Sequence, residues 1–390
     1  MKQHHPLLRN KLIAIVTCLL LASLLFPTDS FASSEAAARR PAAQPLKVVM
    51  TVRVDPTAQL ASSLSIDSPA LTKALLRAKY EPADQVTVYP DVEISITQQQ
   101  GQQKLYRLEK QGNLWDETNH QRLVPTTEAA NQLRSLAELL RSQYYGKLID
   151  WSSARELVPR KSIFTITDVA SGRSFRVQRR AGSDHADVQP ITKEDSRIMK
   201  EIYGGAWSWN RKAVLVHSGD NWIAASMNGM PHGGDGIPDN DFSGHFCVHF
   251  LGSTTHKSDN PDVAHQLMIH KAAGLVRDYL DQASPALLAS SFVEALDHDE
   301  PYLLAQIANG LSAEKLTSWT DQMPSIRSIR VDKPNKSKEA PYVDDGALTA
   351  QIRLNITELR QSEHRTSYLF QFSRPTAKSS WVLTDVTSGK

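Results

Sequence analysis

Two cysteines, Cys18 and Cys247, limit the ways in which this chain can be stabilised. Cys18 lies within Leu12–Phe26, an uncharged apolar run that follows a basic N-terminus. This run has the length typical of a signal sequence and is short for a membrane-spanning helix, and a Ser-Phe-Ala sequence supplies the small residues that cleavage requires. We therefore predict a signal peptide over residues 1–32. Its removal leaves Cys247 alone, so no intrachain disulfide forms and apolar cores must hold the fold.

The charge balance argues against a nucleic-acid partner. The whole chain has 44 Lys and Arg residues against 42 Asp and Glu residues. The predicted signal peptide carries three basic residues and one acidic residue, so the two totals become equal after cleavage. Binding to phosphates requires a basic surface, which this balance does not favour. No later stretch is apolar enough to cross a membrane, so we predict a secreted protein with no stable transmembrane segment after cleavage.

Changes in composition along the chain predict four segments after the signal peptide. Residues 33–45 are rich in Ala, Pro and Ser and predict a disordered leader. Residues 46–150 alternate like strands before an amphipathic helix, which predicts an α+β accessory module. Residues 160–283 predict a β-rich domain with a closing helix. Residues 286–390 give helical segments followed by strands, an order that resembles the cone-shaped NTF2-like fold. The predicted fold class is therefore multidomain α+β.

The segment around Cys247 alternates strictly between apolar and polar side chains. Eight of the 13 histidines of the chain fall between His185 and His270, which makes this region the place to seek chemistry. If residues 245–250 form a strand, its two faces carry different sets of side chains. One face would carry Phe246, Val248 and Phe250, and the other His245, Cys247 and His249. A structural cysteine favours the apolar face, so this pattern favours a reactive or metal-ligating thiol.

His232 is the predicted base for that thiol. It lies 15 residues before Cys247, in a turn-rich loop that has room to fold back over the strand. A histidine that accepts the thiol proton or stabilises the thiolate turns cysteine into a useful nucleophile at neutral pH. The backbone N–H groups of Phe246 and Cys247 are candidates for an oxyanion hole.

These residues resemble the motif of the L,D-transpeptidases of the YkuD type, secreted β-rich enzymes that cross-link peptidoglycan through a cysteine acyl-enzyme. The matching residues are His232, Gly233, Ser243, His245, Cys247 and Val248. A longer segment between His185 and His256 also resembles a set of functionally unassigned secreted proteins of Gram-positive spore-forming bacteria. The L,D-transpeptidase resemblance implies that Cys247 is the nucleophile, that His232 is the general base, and that the carbonyl of His245 orients His232.

Two positions depart from that family. Phe246 stands where the family has glycine, and His249 stands where it has an arginine that stabilises the site or a substrate carboxylate. His249 and Ser243 are therefore candidates for substrate binding. Trp207 and Trp209 would share one face of a strand and stack on a sugar. The predicted function is a cysteine-dependent acyl transferase or hydrolase that acts on peptidoglycan peptides, or on another envelope polymer, at the cell wall without a cofactor.

Two alternatives remain open from the residues. A zinc-dependent peptidoglycan hydrolase would use His185, Asp187, His245 and His249 as candidate ligands, with the sulfur of Cys247 nearby. His245 and His249 are four residues apart on a strand, roughly 13 Å, so one ion would take a pair from this strand together with His232 or with His185 and Asp187. A non-catalytic, wall-associated scaffold with an inert thiol is the second alternative.

Overall fold

The computed structural model describes residues 46–84, 86–97, 101–234, 236–255, 260–332 and 344–389. The predicted signal peptide, the predicted leader, Cys18 and His256 lie outside these residues. The described part is one compact unit of mixed helices and sheets, which confirms the α+β class. Within these ranges, no helix is both long and apolar enough to cross a membrane.

The first part of the chain forms a seven-stranded sheet with two helices. Its elements are β1 (Lys47–Val52), β2 (Ser62–Ile66), α1 (Pro69–Arg77), β3 (Lys79–Pro82), β4 (Val88–Thr97), β5 (Gln103–Glu109), β6 (Leu114–Asp116), β7 (Gln121–Val124) and α2 (Thr127–Tyr144). The strand order is β2-β1-β4-β5-β6-β7-β3. The Thr126 side chain caps α2 by accepting a hydrogen bond from the Ala129 N–H, and threonine is a favoured residue at this position.

A closed six-stranded barrel follows, with antiparallel pairing throughout. Its elements are α3 (Trp151–Leu157), β8 (Ile163–Asp168), β9 (Ser174–Ala181), β10 (Ala186–Pro190), α4 (Lys193–Ile202), β11 (Lys212–Ser218), β12 (Asn221–Met227) and β13 (Phe246–His249). The order around the barrel is β10-β13-β12-β11-β8-β9. Alternate side chains fill the interior, including Phe164, Ile166, Phe175, Val177, Val188, Val214, Val216, Phe246 and Val248. A six-stranded barrel filled in this way is a packed core and leaves no channel.

Helices and a last sheet complete the chain. The elements are α5 (Val263–Ala273), α6 (Val276–Asp281), α7 (Pro285–Asp297), α8 (Pro301–Ile307), α9 (Ala313–Gln322), a 3₁₀ turn (Met323–Ser325), β14 (Ser328–Val331), β15 (Thr349–Leu359), β16 (Glu363–Ser373) and β17 (Val382–Ser388). The four strands form one antiparallel sheet in chain order, against which α7 packs. Helices followed by such strands agree with the predicted element order, and the NTF2-like fold itself stays a prediction.

The single helix predicted to close the β-rich region is two helices. Gly274 ends α5 in the left-handed conformation, with φ of 69°, and its N–H donates to carbonyls of the last turn of α5. This is the usual helix stop at glycine, because glycine adopts positive φ without steric cost. The chain then restarts as α6.

The outer face of the barrel next to α5 is buried as well. On β11, Val214 and Val216 belong to the barrel core, whereas Ala213 and Leu215 belong to a second apolar cluster. That cluster is continuous from the first sheet through α5 and α7 to the last sheet. Helix α5 therefore covers β11 and β12, of which β12 pairs with β13, and polar side chains on this part of the outer face are removed from water.

Candidate active site

Strand β13 divides its side chains as the alternation predicts, but both of its faces are buried. Phe246 and Val248 point into the barrel core, and Cys247 and His249 point to the outer face. The Cys247 residue is only 5% exposed and His249 only 2%. The outer face is closed to solvent because His265 of α5 and the loop that carries His232 pack against it.

Strand register brings further polar groups to the same outer face. Asp187 on β10 is the pairing partner of Cys247, and Ser226 on β12 is the partner of His249. Paired residues on adjacent strands point to the same side of the sheet, so Asp187 lies beside the sulfur. His185 precedes Asp187 by two positions and lies on this side too.

The loop before β13 returns over the strand and delivers His232. His232 and His245 exchange two backbone hydrogen bonds, of 2.9 and 2.7 Å. The close approach requires glycine at position 244, where φ is 96° and an added Cβ would lie 2.3 Å from the His232 carbonyl oxygen. The side-chain amide of Gln189 on β10 also donates to the Gly244 carbonyl. The loop is thus tied to the barrel on both sides of His232.

The result is a cysteine–histidine pair. His232 Nε2 lies 3.3 Å from Cys247 Sγ, and His232 Nδ1 lies 2.9 Å from the carbonyl oxygen of Met230. A carbonyl only accepts hydrogen bonds, so Nδ1 carries a proton and Nε2 is the atom that exchanges a proton with sulfur. The predicted contact of the His245 carbonyl with His232 is made through the His232 backbone N–H, whereas the carbonyl that faces the His232 ring is that of Met230.

A second imidazole reaches the sulfur from the opposite direction. His185 Nδ1 lies 2.8 Å from the carbonyl oxygen of Thr254, and His185 Nε2 lies 3.1 Å from Asp187 Oδ1. His185 also hydrogen-bonds to Cys247. Cys247 therefore sits between a loop histidine and a histidine that is held by a carbonyl and a buried carboxylate.

These contacts favour a thiolate. Burial raises the pKa of Cys247, but the hydrogen bonds and charges of His185 and His232 outweigh burial and lower the pKa below its usual value. The hydrogen bond to Cys247 raises the pKa of His232. Burial lowers the pKa of His185, but Asp187 and Cys247 raise it to about 10. Low thiol pKa beside cationic imidazoles is the condition for a reactive cysteine.

His249 occupies a different environment. Its ring stacks between His185, at 4.5 Å between ring centres, and His265 of α5, at 3.7 Å. Burial lowers the pKa of both His249 and His265 well below the usual value, so both are neutral. The prediction that His249 binds a substrate carboxylate is wrong, because a buried neutral ring under α5 offers no accessible charge.

The remaining predicted residues lie around the loop. His245 Nε2 is 3.8 Å from Asp187 Oδ1, and the His245 ring centre is 4.5 Å from that of His232. Ser243 is exposed in the turn before β13. Phe246 is fully buried, and its backbone lies opposite Val188 in the β10–β13 ladder, so its predicted oxyanion role depends on an N–H within a paired strand.

The two tryptophans do not share a strand. Residues 207–210 are irregular, so the prediction that Trp207 and Trp209 lie on one strand face is wrong. Trp207 packs edge-on against Phe242, with ring centres 5.1 Å apart. Trp209 is 51% exposed, and its ring centre is 5.2 Å from that of His232. Of the two tryptophans, only Trp209 thus lies both at the surface and beside the pair formed by Cys247 and His232.

Several chemical groups of this site are not predicted by the sequence. The carbonyls of Met230 and Thr254 orient the two histidines, but a backbone group leaves no signal in a sequence. The sequence predicts His185 and Asp187 only as alternative metal ligands, although their His-Ala-Asp spacing indicates that they share one strand face. No family model, curated protein or solved structure matches this chain.

Proposed function

We propose that this protein is a secreted cysteine-dependent acyl transferase or hydrolase of the L,D-transpeptidase type, acting on peptide carbonyls of the cell envelope. The observation that carries the proposal is the 3.3 Å contact between Cys247 Sγ and His232 Nε2, with His232 Nδ1 held by the Met230 carbonyl. The envelope as the site of action rests on the predicted signal peptide and on the motif resemblance.

In the proposed reaction the thiolate of Cys247 attacks a peptide carbonyl carbon and forms a sulfur–carbon bond. The carbonyl π electrons move to oxygen, and a backbone N–H at Phe246 or Cys247 is the proposed donor to that oxyanion. Collapse of the intermediate breaks the carbon–nitrogen bond, and His232 donates its Nε2 proton to the leaving amine. An incoming amine or water then loses a proton to His232, attacks the thioester and releases Cys247.

Access to the sulfur is possible from the loop side. His232 is half-buried, and Gly233, Gly234 and Trp209 beside it are exposed. From the other side, His185 and α5 close the site. A substrate chain would therefore approach past Trp209 and displace little more than Gly233 and Gly234 of the loop that carries His232.

The scaffold alternative is favoured by one observation, the burial of Cys247 at 5% exposure. The two proposals differ in whether the folded protein reacts. Iodoacetamide labelling at pH 7, followed by peptide mass spectrometry, separates Cys247 from Cys18. A reactive site labels Cys247 in the native protein, whereas an inert thiol labels only after denaturation.

Turnover tests the enzyme directly. The purified full chain would be incubated with peptidoglycan fragments, and covalent adducts and products would be followed by mass spectrometry. We expect an acyl adduct on Cys247, no turnover for Cys247→Ala, and a loss of about 10²–10⁴-fold for His232→Gln. His364→Gln, at an exposed position on the last sheet, is the matched control and should retain activity. Turnover that persists in Cys247→Ala would refute the proposal.

A further inference from the structure

Cys247 belongs to a second constellation that the proposed reaction does not use. His185, Cys247 and His249 each offer one ligand atom, and these three atoms all lie within 4.8 Å of one another. All three residues are buried. One sulfur and two imidazole nitrogens form a donor set suited to soft or borderline transition-metal ions.

An independent observation points to a ligand at this position. Nδ1 of His249 is buried and has no hydrogen-bond partner among the described residues. Leaving a buried polar atom without a partner costs about 1–3 kcal/mol, so its presence calls for a reason. Burial also keeps His249 neutral, and the neutral imidazole is the form that ligates a metal.

The surroundings of His185 fit the same role. Its Nδ1 faces the Thr254 carbonyl at 2.8 Å, and its Nε2 lies 3.1 Å from Asp187 Oδ1, while His185 also hydrogen-bonds to Cys247. Ligating histidines commonly donate their other N–H to a carbonyl in this way, which fixes the ring orientation. His185 is therefore oriented as a ligand, and it becomes one when Nε2 loses the proton that faces Asp187.

We propose that Cys247, His185 and His249 bind one zinc-class divalent cation, and that the bound ion caps the thiolate. The separations of up to 4.8 Å exceed the ~3.3–3.8 Å between two donors of one tetrahedral zinc ion. The His185 and His249 rings are also nearly parallel, at 17°, so binding includes a tilt of the His249 ring toward the sulfur. Binding releases to solvent the Nε2 proton of His185 and any proton that remains on the sulfur, and the freed lone pairs of Nε2 and Sγ then ligate the metal.

Capping has a functional consequence that rests on the proposed function. A thiolate whose lone pair is held by a metal does not attack a carbonyl, so the cation would be a reversible inhibitor. Removal of the ion by a chelator would restore the pair formed by Cys247 and His232. Metal binding itself does not depend on whether the protein is an enzyme.

The test uses Co²⁺ as a spectroscopic probe and Zn²⁺ as the competing ion. The full chain, treated with chelator and dialysed, is titrated with Co²⁺, and absorption from thiolate-to-cobalt charge transfer is recorded. We expect one equivalent to bind with a dissociation constant below about 10 µM, and Zn²⁺ to abolish the band. Cys247→Ser should lack the band, and the exposed-site control His364→Gln should retain it.

His249→Phe separates metal binding from thiol reactivity. Phenylalanine preserves the stack between His185 and His265 but offers no ligand, so cobalt affinity should fall at least tenfold. Iodoacetamide labelling of Cys247 in chelator should stay within about twofold of wild type. His249→Gln serves as a second variant, and thermal unfolding shows which variants are folded.

Each outcome bears on a separate statement. Absence of stoichiometric binding, or a charge-transfer band that persists in Cys247→Ser, overturns the metal site. Binding that leaves Cys247 alkylation unchanged overturns the capping. Binding that protects Cys247, in a protein that fails to turn over peptidoglycan fragments even in chelator, supports the metal site and refutes the proposed enzyme.

Discussion

Replacing Gly244 with alanine tests whether the bridge between His232 and His245 holds the imidazole against the sulfur. An alanine Cβ would lie 2.3 Å from the His232 carbonyl oxygen, whereas real Cβ atoms stay beyond 3.0 Å. The loop must therefore shift by roughly 0.7 Å, which lengthens the 3.3 Å contact of Cys247 with His232 toward 4 Å. Positive φ in a non-glycine residue adds about 1–2 kcal/mol, and the clash adds about 1–3 kcal/mol.

The expected effects are a stability loss of about 2–5 kcal/mol and slower alkylation of Cys247. Moving the His232 ring away from the sulfur weakens the hydrogen bond and charge that lower the pKa of Cys247, so the pKa rises, the thiolate fraction falls, and we expect a several-fold slower alkylation. Urea unfolding followed by tryptophan fluorescence gives the first quantity. Iodoacetamide kinetics at pH 7, resolved by peptide mass spectrometry, give the second.

Gly252→Ala is the matched control. Gly252 also has positive φ, at 70°, but an added Cβ would meet no atom within 4 Å. It should cost only about 1 kcal/mol and leave alkylation of Cys247 unchanged. If Gly244→Ala alkylates as fast as Gly252→Ala, the bridge does not activate the thiol. If the two variants are equally stable, the close backbone approach is wrong.

Three further changes test the interior. Phe246→Ala should destabilise by about 3–5 kcal/mol in urea unfolding, because the ring is fully buried in the barrel; a loss below 1 kcal/mol would contradict the packing. Buried Lys271 lies 2.5 Å from Glu300 and 3.3 Å from Asp55. Lys271→Met should therefore destabilise by about 3–5 kcal/mol, because it leaves both carboxylates without their ion-pair partner. A variant as stable as the wild type would contradict the buried ion pairs. Burial raises the pKa of Glu294 to about 7, so the Glu294 carboxyl holds its proton more tightly in the native state than in the unfolded state. The contribution of Glu294 to stability therefore falls as pH rises from about 4.5 to about 7. Glu294→Gln should therefore gain up to about 3 kcal/mol at pH 8 and little at pH 4, and an equal change at both pH values would contradict the buried charge.

The arrangement of side chains on the strand around Cys247 could be predicted from the sequence. Strict alternation predicts which residues share a strand face, and the structure confirms that Phe246 and Val248 pack inside the barrel. The position of His232 in a loop before the strand predicted the meeting of the two side chains, and they lie 3.3 Å apart. Both inferences depend on residues close in the chain.

Contacts between segments that are far apart in the chain could not be predicted from the sequence. The helix break at Gly274 is different, because a glycine within a helical pattern is a local signal of a helix end. The strand register that sets Asp187 beside Cys247, and the stack of His249 on His265, depend on how segments far apart in sequence pair and pack. A pattern within one segment does not specify its pairing partner.

The sequence by itself predicted export and a single thiol after cleavage, and it determined the division of β13 into an apolar and a polar face. Tertiary structure decided that the polar face is buried, that carbonyls of Met230 and Thr254 orient the imidazoles, and that His185, rather than His245, shares the sulfur with His232. The physical reason is that a strand fixes the direction of its side chains through its own backbone, whereas exclusion of water and the choice of partners depend on the helix and loops that pack over it.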